Sequence, residues 1–280
     1  MPEGDTIFRA ARTLHRALAG KPVVRFETVL AQLSRVDDDA PIAGRTVERV
    51  RSVGKHLLVE FSGDLVLRTH MRMAGSWHVY RPGERWWRPQ SAMRVVVETA
   101  DFQAVAFDVP VAEFRTARQL GRDPAVAGLG PDVLDPAFDE VEAVRRLRER
   151  GALGIGEALL DQRALAGLGN VFKSEVCFAE RVHPFTPVAE LDDAALVRLV
   201  RTARRFLGMN VLASSGAGMV TVGGDRRTTR RGDPSARLWV YARAEKPCRV
   251  CGTTIRLERR GLQARSTYLC PRCQVAPRGV

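Results

Sequence analysis

Four places in the 280-residue chain carry side chains whose type and spacing suit chemistry. The first is the opening, MPEGDTIFRAARTLHRALAG. Once Met1 is removed, Pro2 begins the chain and its ring nitrogen is a free secondary amine. An α-amine titrates at roughly 7.7–8.0 in model compounds, far below a lysine, and a proline nitrogen is somewhat more basic. The field at a helix N-terminus disfavours the protonated form, so a useful fraction is neutral near physiological pH and able to attack carbon. Glu3, beside it, can shuttle protons. A plainer reading of the same residues is a helix start, since Pro is a common first helical residue and Glu suits the N-terminal turn.

The second place is Cys248-Arg-Val-Cys251, then 18 residues, then Cys270-Pro-Arg-Cys273. Two CxxC pairs so spaced fit a tetrahedral four-thiolate zinc site, each pair bending the chain so that two sulfurs face one metal. Redox cysteines are the alternative, but a redox CxxC sits in a different context. Four thiolates leave no open coordination position, so one structural Zn2+ is expected. The intervening TTIRLERRGLQARSTYL suits a hairpin with GL at its tip, presenting Arg256, Arg259, Arg260 and Arg265 to a groove or to phosphates.

The third is LLDQRALAGLGNVFKSEVCF at 159–178. Its Leu159, Leu160 and Leu165 suit the end of one helix. Ala166-Gly167-Leu168-Gly169 suits a tight turn, and Asn170 suits the cap of a second helix. Backbone amides at such a turn favour a phosphate, although any helical hairpin uses Gly and Asn this way. The fourth is Val53-Gly54-Lys55-His56, a turn between strands with one of only four lysines. An exposed turn lysine is the commoner fate of such a residue.

The elements that must hold these groups are legible in outline. Residues 4–19 put Ile7, Phe8, Ala11, Leu14, Ala17 and Leu18 on one helical face, with Gly20 as a stop. From about 22 to 115 come short runs rich in β-branched and aromatic residues: VVRFETVL, RTVERVRSV, HLLVEF, DLVLRTHM, SWHVY, MRVVVET and FQAVAFDV. They predict a sandwich or barrel. GRDPAVAGLGPDVLDP at 121–136 reads as a linker. Helical patterns follow at 139–150, 155–165, about 171–181 and 192–208. Cys177, alone in an apolar helical stretch, is most simply a small buried residue.

Charge is unevenly spread. The net charge is +12, and residues 201–280 hold 17 Lys and Arg against 4 Asp and Glu. Arginine outnumbers lysine 40 to 4, a compositional bias that leaves the clustering more informative than the total. A basic C-terminal part favours a polyanionic partner. The first twenty residues mix charges with apolar positions, which argues against a signal peptide. No later run is long and apolar enough to span a bilayer, so a cytoplasmic protein is expected, and nothing in the sequence demands more than a monomer.

Taken together and in order, PEGDT, GKHLL, DQ…LAGLGN and CxxC…RSTYLCPRCQ closely resemble the formamidopyrimidine-DNA glycosylase and endonuclease VIII family of bacterial base-excision repair. The resemblance spans the whole chain. It implies an α+β protein: an N-terminal β-sandwich flanked by an N-terminal helix, and a C-terminal helical domain with a helix-two-turn-helix and a four-Cys zinc hairpin, flanking a basic DNA cleft. The implied boundaries are a catalytic sandwich domain at 1–120, a linker at 121–138, a helical DNA-binding domain at 139–245 and a zinc finger at 246–280.

The implied activity is removal of an oxidised base from double-stranded DNA through a Schiff base, then strand cleavage by β,δ-elimination. By matching motif, Pro2 is the nucleophile and Glu3 the general acid. Lys55 contacts phosphate beside the lesion and assists catalysis. Asn170 and Arg265 grip the DNA backbone, and Met73 in THMRMAGSW fills the gap left by the flipped base. PEGDT and PDVLDP look more like endonuclease VIII, which implies oxidised pyrimidines, whereas Met73 is more like the purine branch and Ala74 offers no wedge. The region 223–241, rich in Arg, has no obvious aromatic lesion cap. The alternatives are a purine-type enzyme excising 8-oxoguanine and formamidopyrimidines, and a zinc-containing DNA-binding protein of this fold without catalysis. An RNA-binding zinc-ribbon protein explains the charge but not the opening.

Overall fold

The structure, a computed structural model, describes residues 2–212, 226–229, 231, 233–260 and 264–276. These form two compact units, divided between Gly128 and Leu129.

The first unit begins with α1 (Gly4–Leu18). Glu3 stands at its cap, where its carbonyl accepts hydrogen bonds from Thr6 N at 2.9 Å and Ile7 N at 3.1 Å. The buried stripe runs Ile7, Ala10, Ala11, Leu14, Ala17 and Leu18. Phe8, expected on this face, is only half-buried, because it lies about 100° around the helix from Ile7 and Ala10 takes the inward position. Gly20, at φ +78°, ends the helix as expected.

Eight strands follow: β1 (Arg25–Thr28), β2 (Val47–Val53), β3 (His56–Phe61), β4 (Leu65–His70), β5 (Ser76–Tyr80), β6 (Met93–Glu98), β7 (Gln103–Phe107) and β8 (Val111–Arg115). They make two antiparallel four-stranded sheets, ordered β1-β6-β7-β5 and β2-β3-β4-β8. Val50, Leu57, Val59, Phe61 and Leu67 of one sheet share a core with Trp77, Val95, Val97, Ala104 and Ala106 of the other and with the α1 stripe. The two sheets therefore form a sandwich rather than a barrel.

Two elements lie outside the expected runs. α2 (Ala31–Asp39) interrupts the strand region and buries only Leu33. β8 follows Pro110 and turns Ala112 and Phe114 inward. The segment expected as a linker is partly structured too. The short α3 (Ala117–Leu120) leads into it, and it carries α4 (Pro124–Ala127), capped by the Asp123 side chain, which accepts from Ala125 N. It also carries Val133, buried in the core of the second unit.

The second unit comprises α5 (Glu140–Arg148), α6 (Ile155–Ala158), α7 (Asn170–Ala179), α8 (Asp193–Leu212) and a hairpin of β9 (Arg256–Arg259) and β10 (Ser266–Leu269). Leu147, Ile155, Leu159, Leu165, Leu168, Phe172, Val176, Leu199 and Phe206 form its core. The helix expected at 155–165 is a single turn, α6. Beyond it Asp161 accepts from Arg163 N at 2.9 Å, and the chain turns under side-chain control. Helix α8 runs one turn beyond its expected end. The expected hairpin tip at GL (261–262), and residues 223–225, 230 and 232 of the Arg-rich region 223–241, lie outside the described residues. No helix among the described residues is long and apolar enough to cross a membrane.

Candidate functional site

The strand register gathers several of the sequence-picked residues on one rim of the first unit. His56 sits opposite His70, His70 opposite Val111, and Ser76 opposite Phe107. Turn 54–55, loop 71–75 and turn 108–110 therefore share one end of the sandwich. Helix α1 runs alongside β2 in the opposite sense. Gly20 N donates to Val47 O at 2.8 Å, and Val50 N donates to His15 Nδ1 at 3.2 Å. From that His15 anchor, the eleven residues back to Gly4 span about 16 Å of helix, while Val50 to Gly54 spans about 13 Å of strand. The head of α1, with Pro2 and the fully buried Glu3, thus reaches the same rim as Lys55.

Met73 belongs to this rim. Met71 is buried and anchors the loop, and Gly75 N donates to Met71 O at 2.9 Å. A Cβ on Gly75 would lie 2.6 Å from that carbonyl oxygen, so the closure demands glycine. The tight loop leaves Met73 63% exposed at its tip. Arg72, beside it at φ +47° and also exposed, was not singled out by sequence; Arg72 N donates to His70 Nδ1 at 3.1 Å.

The rim holds its histidines neutral among cationic neighbours. His56 and His70 meet edge to face with centroids 4.9 Å apart. Burial lowers both from 6.5 to about 4, helped at His56 by His70 and Arg68 and at His70 by Lys55 and Arg72. His78, on the outer face of the other sheet among Ser76, Tyr80 and Phe107, is likewise lowered to about 4 by burial and then by Arg88. These three groups are neutral in the folded protein and protonate readily once unfolded. Stability is therefore complete above pH 6.5 and declines as pH falls towards 4. At pH 5 each histidine withdraws about 1–2 kcal/mol, after discounting for solvent screening. Thermal unfolding at pH 7 and pH 5 should show a marked drop in Tm at pH 5, reduced in a His78→Gln variant. Equal Tm values at both pH values would refute neutral burial.

In the second unit, Gln162 organises the glycine turn. Its Nε2 donates to Leu160 O at 2.8 Å and Leu168 O at 3.0 Å, and its Oε1 accepts from Gly167 N at 3.1 Å. Gly167 adopts φ +102° with Val133 Cγ2 only 3.2 Å from where a Cβ would stand. Asn170 is not the cap expected from sequence. Gly169, in extended conformation, is the cap residue, and Asn170 is the first residue of α7. Its side chain is thereby released from capping, and Asn170 Oδ1 is buried without a hydrogen-bond partner among the described residues.

Two charged residues of α7 escaped the sequence reading. Glu175 is fully buried and accepts from the amides of Trp239, Val240 and Tyr241, each at 2.8 Å, and from the Thr228 hydroxyl. Burial raises its carboxyl above the ordinary range, against the pull of these donors. Lys173, 1% exposed, donates through Nζ to Thr267 Oγ1 at 2.7 Å and Ser266 O at 3.0 Å. A signal existed: residues two apart point to nearly opposite sides of a helix, so in the apolar run VFKSEVCF at least one of the pair faces inward.

Cys248, Cys251, Cys270 and Cys273 bring their sulfurs within 4.8 Å of one another. All four lie at the base of the β9–β10 hairpin, and the donor set and spacing fit Zn2+. Hydrogen bonds from Thr253 lower Cys251 to about 6, whereas burial raises Cys270 and Cys273, so a bound metal has to displace protons from those two thiols. Arg256, Arg259, Arg260 and Arg265 are exposed on the hairpin. Cys177, apart from this site, is fully buried, and burial raises it to about 12.

A fully buried glutamate at the head of α1, a helical glycine turn and a four-thiolate cluster that fits Zn2+ are the features that limit the class of protein. Comparison with known proteins narrows the class. Residues 1–122 match the formamidopyrimidine-DNA glycosylase N-terminal domain, 129–220 its H2TH domain, and 245–275 the zinc finger found in FPG and IleRS. The chain is 43% identical to "Probable endonuclease 8 2" of Streptomyces coelicolor, covering 99% of this chain and 95% of that one. It is 38% identical to the DNA-(apurinic or apyrimidinic site) lyase Nei2 of Mycolicibacterium smegmatis, covering 99% and 100%. In fold it is similar to Lactococcus lactis Fpg solved with abasic-site DNA, with a TM-score of 0.80 at 21% identity over 98% of this chain and 100% of that one. The chain belongs to the formamidopyrimidine-DNA glycosylase and endonuclease VIII family, and its four-cysteine cluster is that family's structural zinc site.

Proposed function

We propose that this protein is a bifunctional DNA glycosylase and AP lyase that removes oxidised pyrimidines from double-stranded DNA. The observation that carries the reading is the shared rim. The head of α1, the Lys55 turn and the Met73 loop meet at one end of the sandwich, so nucleophile, acid, phosphate contact and gap-filling side chain come from one surface. The catalytic part is 1–120. The second unit contributes Asn170, from the helical part 139–245, and Arg265, from the zinc finger 246–280, as backbone grips; segment 121–138 joins the two. Cytoplasmic action on nucleoid DNA as a monomer completes the reading.

The chemistry follows from the groups. A damaged base is unreachable in the stack and is flipped out, at a cost of a few kcal/mol that damage lowers. The neutral Pro2 nitrogen attacks C1′ of the deoxyribose. Glu3 protonates the ring oxygen and the sugar opens; the nitrogen then sheds its proton and its lone pair expels the base, which departs with the glycosidic electron pair and takes up a proton. The resulting iminium acidifies the adjacent C2′–H. Loss of that proton expels the 3′ phosphate, and a second elimination expels the 5′ phosphate. Lys55 meets the negative charge on the phosphate beside the lesion.

Pyrimidine preference rests on similarity to proteins named as endonuclease 8 and on the PEGDT and PDVLDP segments. A panel of duplexes carrying thymine glycol, dihydrouracil, 8-oxoguanine or a formamidopyrimidine tests it. Cleavage of the two pyrimidine lesions should exceed that of 8-oxoguanine at least about tenfold, since a pocket built to hydrogen-bond one base edge rejects another strongly. Dominant 8-oxoguanine excision would assign the chain to the purine branch instead.

A further inference from the structure

We propose that Lys173 is a positioning residue that locks Arg265 of the zinc hairpin to Asn170 of α7, so that the two act as one rigid phosphate clamp. The inference rests on the backbone-gripping roles proposed for Asn170 and Arg265, and deepens them. Lys173 follows Asn170 by three residues, about one helical turn. Its ammonium holds Ser266 O at 3.0 Å and Thr267 Oγ1 at 2.7 Å. Thr267 Oγ1 in turn donates to Arg265 O at 3.0 Å. Beside it, Ser174 Oγ donates to Asn170 O at 3.2 Å and accepts from Tyr268 N at 3.4 Å. Lys173 and Ser174 thus tie consecutive residues of β10 to the first turn of α7.

The choice of lysine is the telling point. A buried ammonium is unfavourable unless hydrogen bonds replace its water, and an apolar side chain would fill the same space without that cost. The stem is confined as well: a Cβ added at Gly156 would lie 3.5 Å from Lys173 Cδ. What lysine supplies and methionine does not is a directional grip on residues 265–267, with a positive charge beneath the clamp. The exposed Arg265 guanidinium then starts from a fixed backbone and loses less freedom on meeting a phosphate.

A double-mutant cycle on the full-length, zinc-loaded protein tests this. The probe is duplex DNA with a tetrahydrofuran abasic analogue for affinity, and natural abasic DNA for borohydride trapping at saturation. Arg265→Ala should weaken binding about tenfold in the parent, but less than about threefold in Lys173→Met or Thr267→Val backgrounds, because residues acting as a unit are non-additive. Lys173→Met alone should weaken binding about tenfold, with trapping at saturating DNA changed less than about threefold and one zinc retained. Should Lys173→Met lose zinc, Thr267→Val decides, since with no change of charge it removes the hydroxyl that joins Lys173 to the Arg265 carbonyl, leaving only the Ser266 O contact. A full Arg265→Ala effect persisting in Thr267→Val would overturn the proposal and leave the enzymatic reading standing. Parent-like affinity in Arg265→Ala alone would instead remove Arg265 from the DNA grip, and this proposal with it.

Discussion

Adding one residue before Pro2 should abolish covalent trapping by borohydride on abasic-site DNA, with a loss of more than about a thousandfold, or more than about 4 kcal/mol in the barrier. The extension turns the Pro2 nitrogen into an amide, whose lone pair is delocalised into the carbonyl and no longer attacks carbon. Affinity for the same DNA should stay within about threefold, because the extension leaves untouched the phosphate contacts proposed for Lys55, Asn170 and Arg265, and most contacts of DNA-binding proteins are with the backbone. Mass spectrometry must accompany the assay, to show Pro2 at the terminus of the active protein and the added residue on the inactive one. Undiminished trapping by the extended chain would remove Pro2 as nucleophile. A protein that binds DNA with its terminus free and never forms the adduct would be the non-enzymatic member of the fold.

Removing zinc should be nearly as damaging, by a different route. The hairpin strands are four residues each, and a two-stranded ribbon of that size is marginal by itself. Four thiolates on one ion contribute on the order of 10–16 kcal/mol to folding such small metal domains. Extraction by a strong chelator under mild denaturant, or Cys270→Ser, should release one zinc per chain and weaken binding to abasic-site DNA at least about a hundredfold. The sandwich has its own core and should keep its unfolding transition. Full DNA affinity without zinc would show that the hairpin contributes nothing to recognition.

What was legible in the sequence follows from which signals are local. The α1 stripe, the apolar and aromatic runs HLLVEF and SWHVY, and the CxxC spacing are each set by neighbours within a few residues, and the structure has a helix, two strands and a four-sulfur cluster there. The errors arose where tertiary contacts decide. AQLSRVDDD becomes α2 by packing Leu33 inward, within a region expected to hold strands. The run after Leu159 turns away from helix because Gln162 bonds backbone groups as far as Leu168. Asn170 looked like a cap because the type is right, but Gly169 already holds the extended conformation. Lys173 and Glu175 carry no local signal of their roles, since their partners lie between 53 and 94 residues away. The shared rim likewise depends on strand register, which composition does not specify.

The sulfur atoms bear on how such a repair protein endures the peroxide that damages DNA. Cys177, outside the zinc site, is fully buried and holds its proton up to about pH 12, so the nucleophilic thiolate that oxidants seek is essentially missing there. Met71 and Met93 are sealed in the sandwich. Met73 is different, 63% exposed at its loop tip, and is the described methionine most open to sulfoxidation. Oxidant tolerance is thus unevenly distributed. The scaffold's thiol and thioethers are shielded, while the side chain proposed to enter the helix becomes polar first, blunting its insertion before stability suffers.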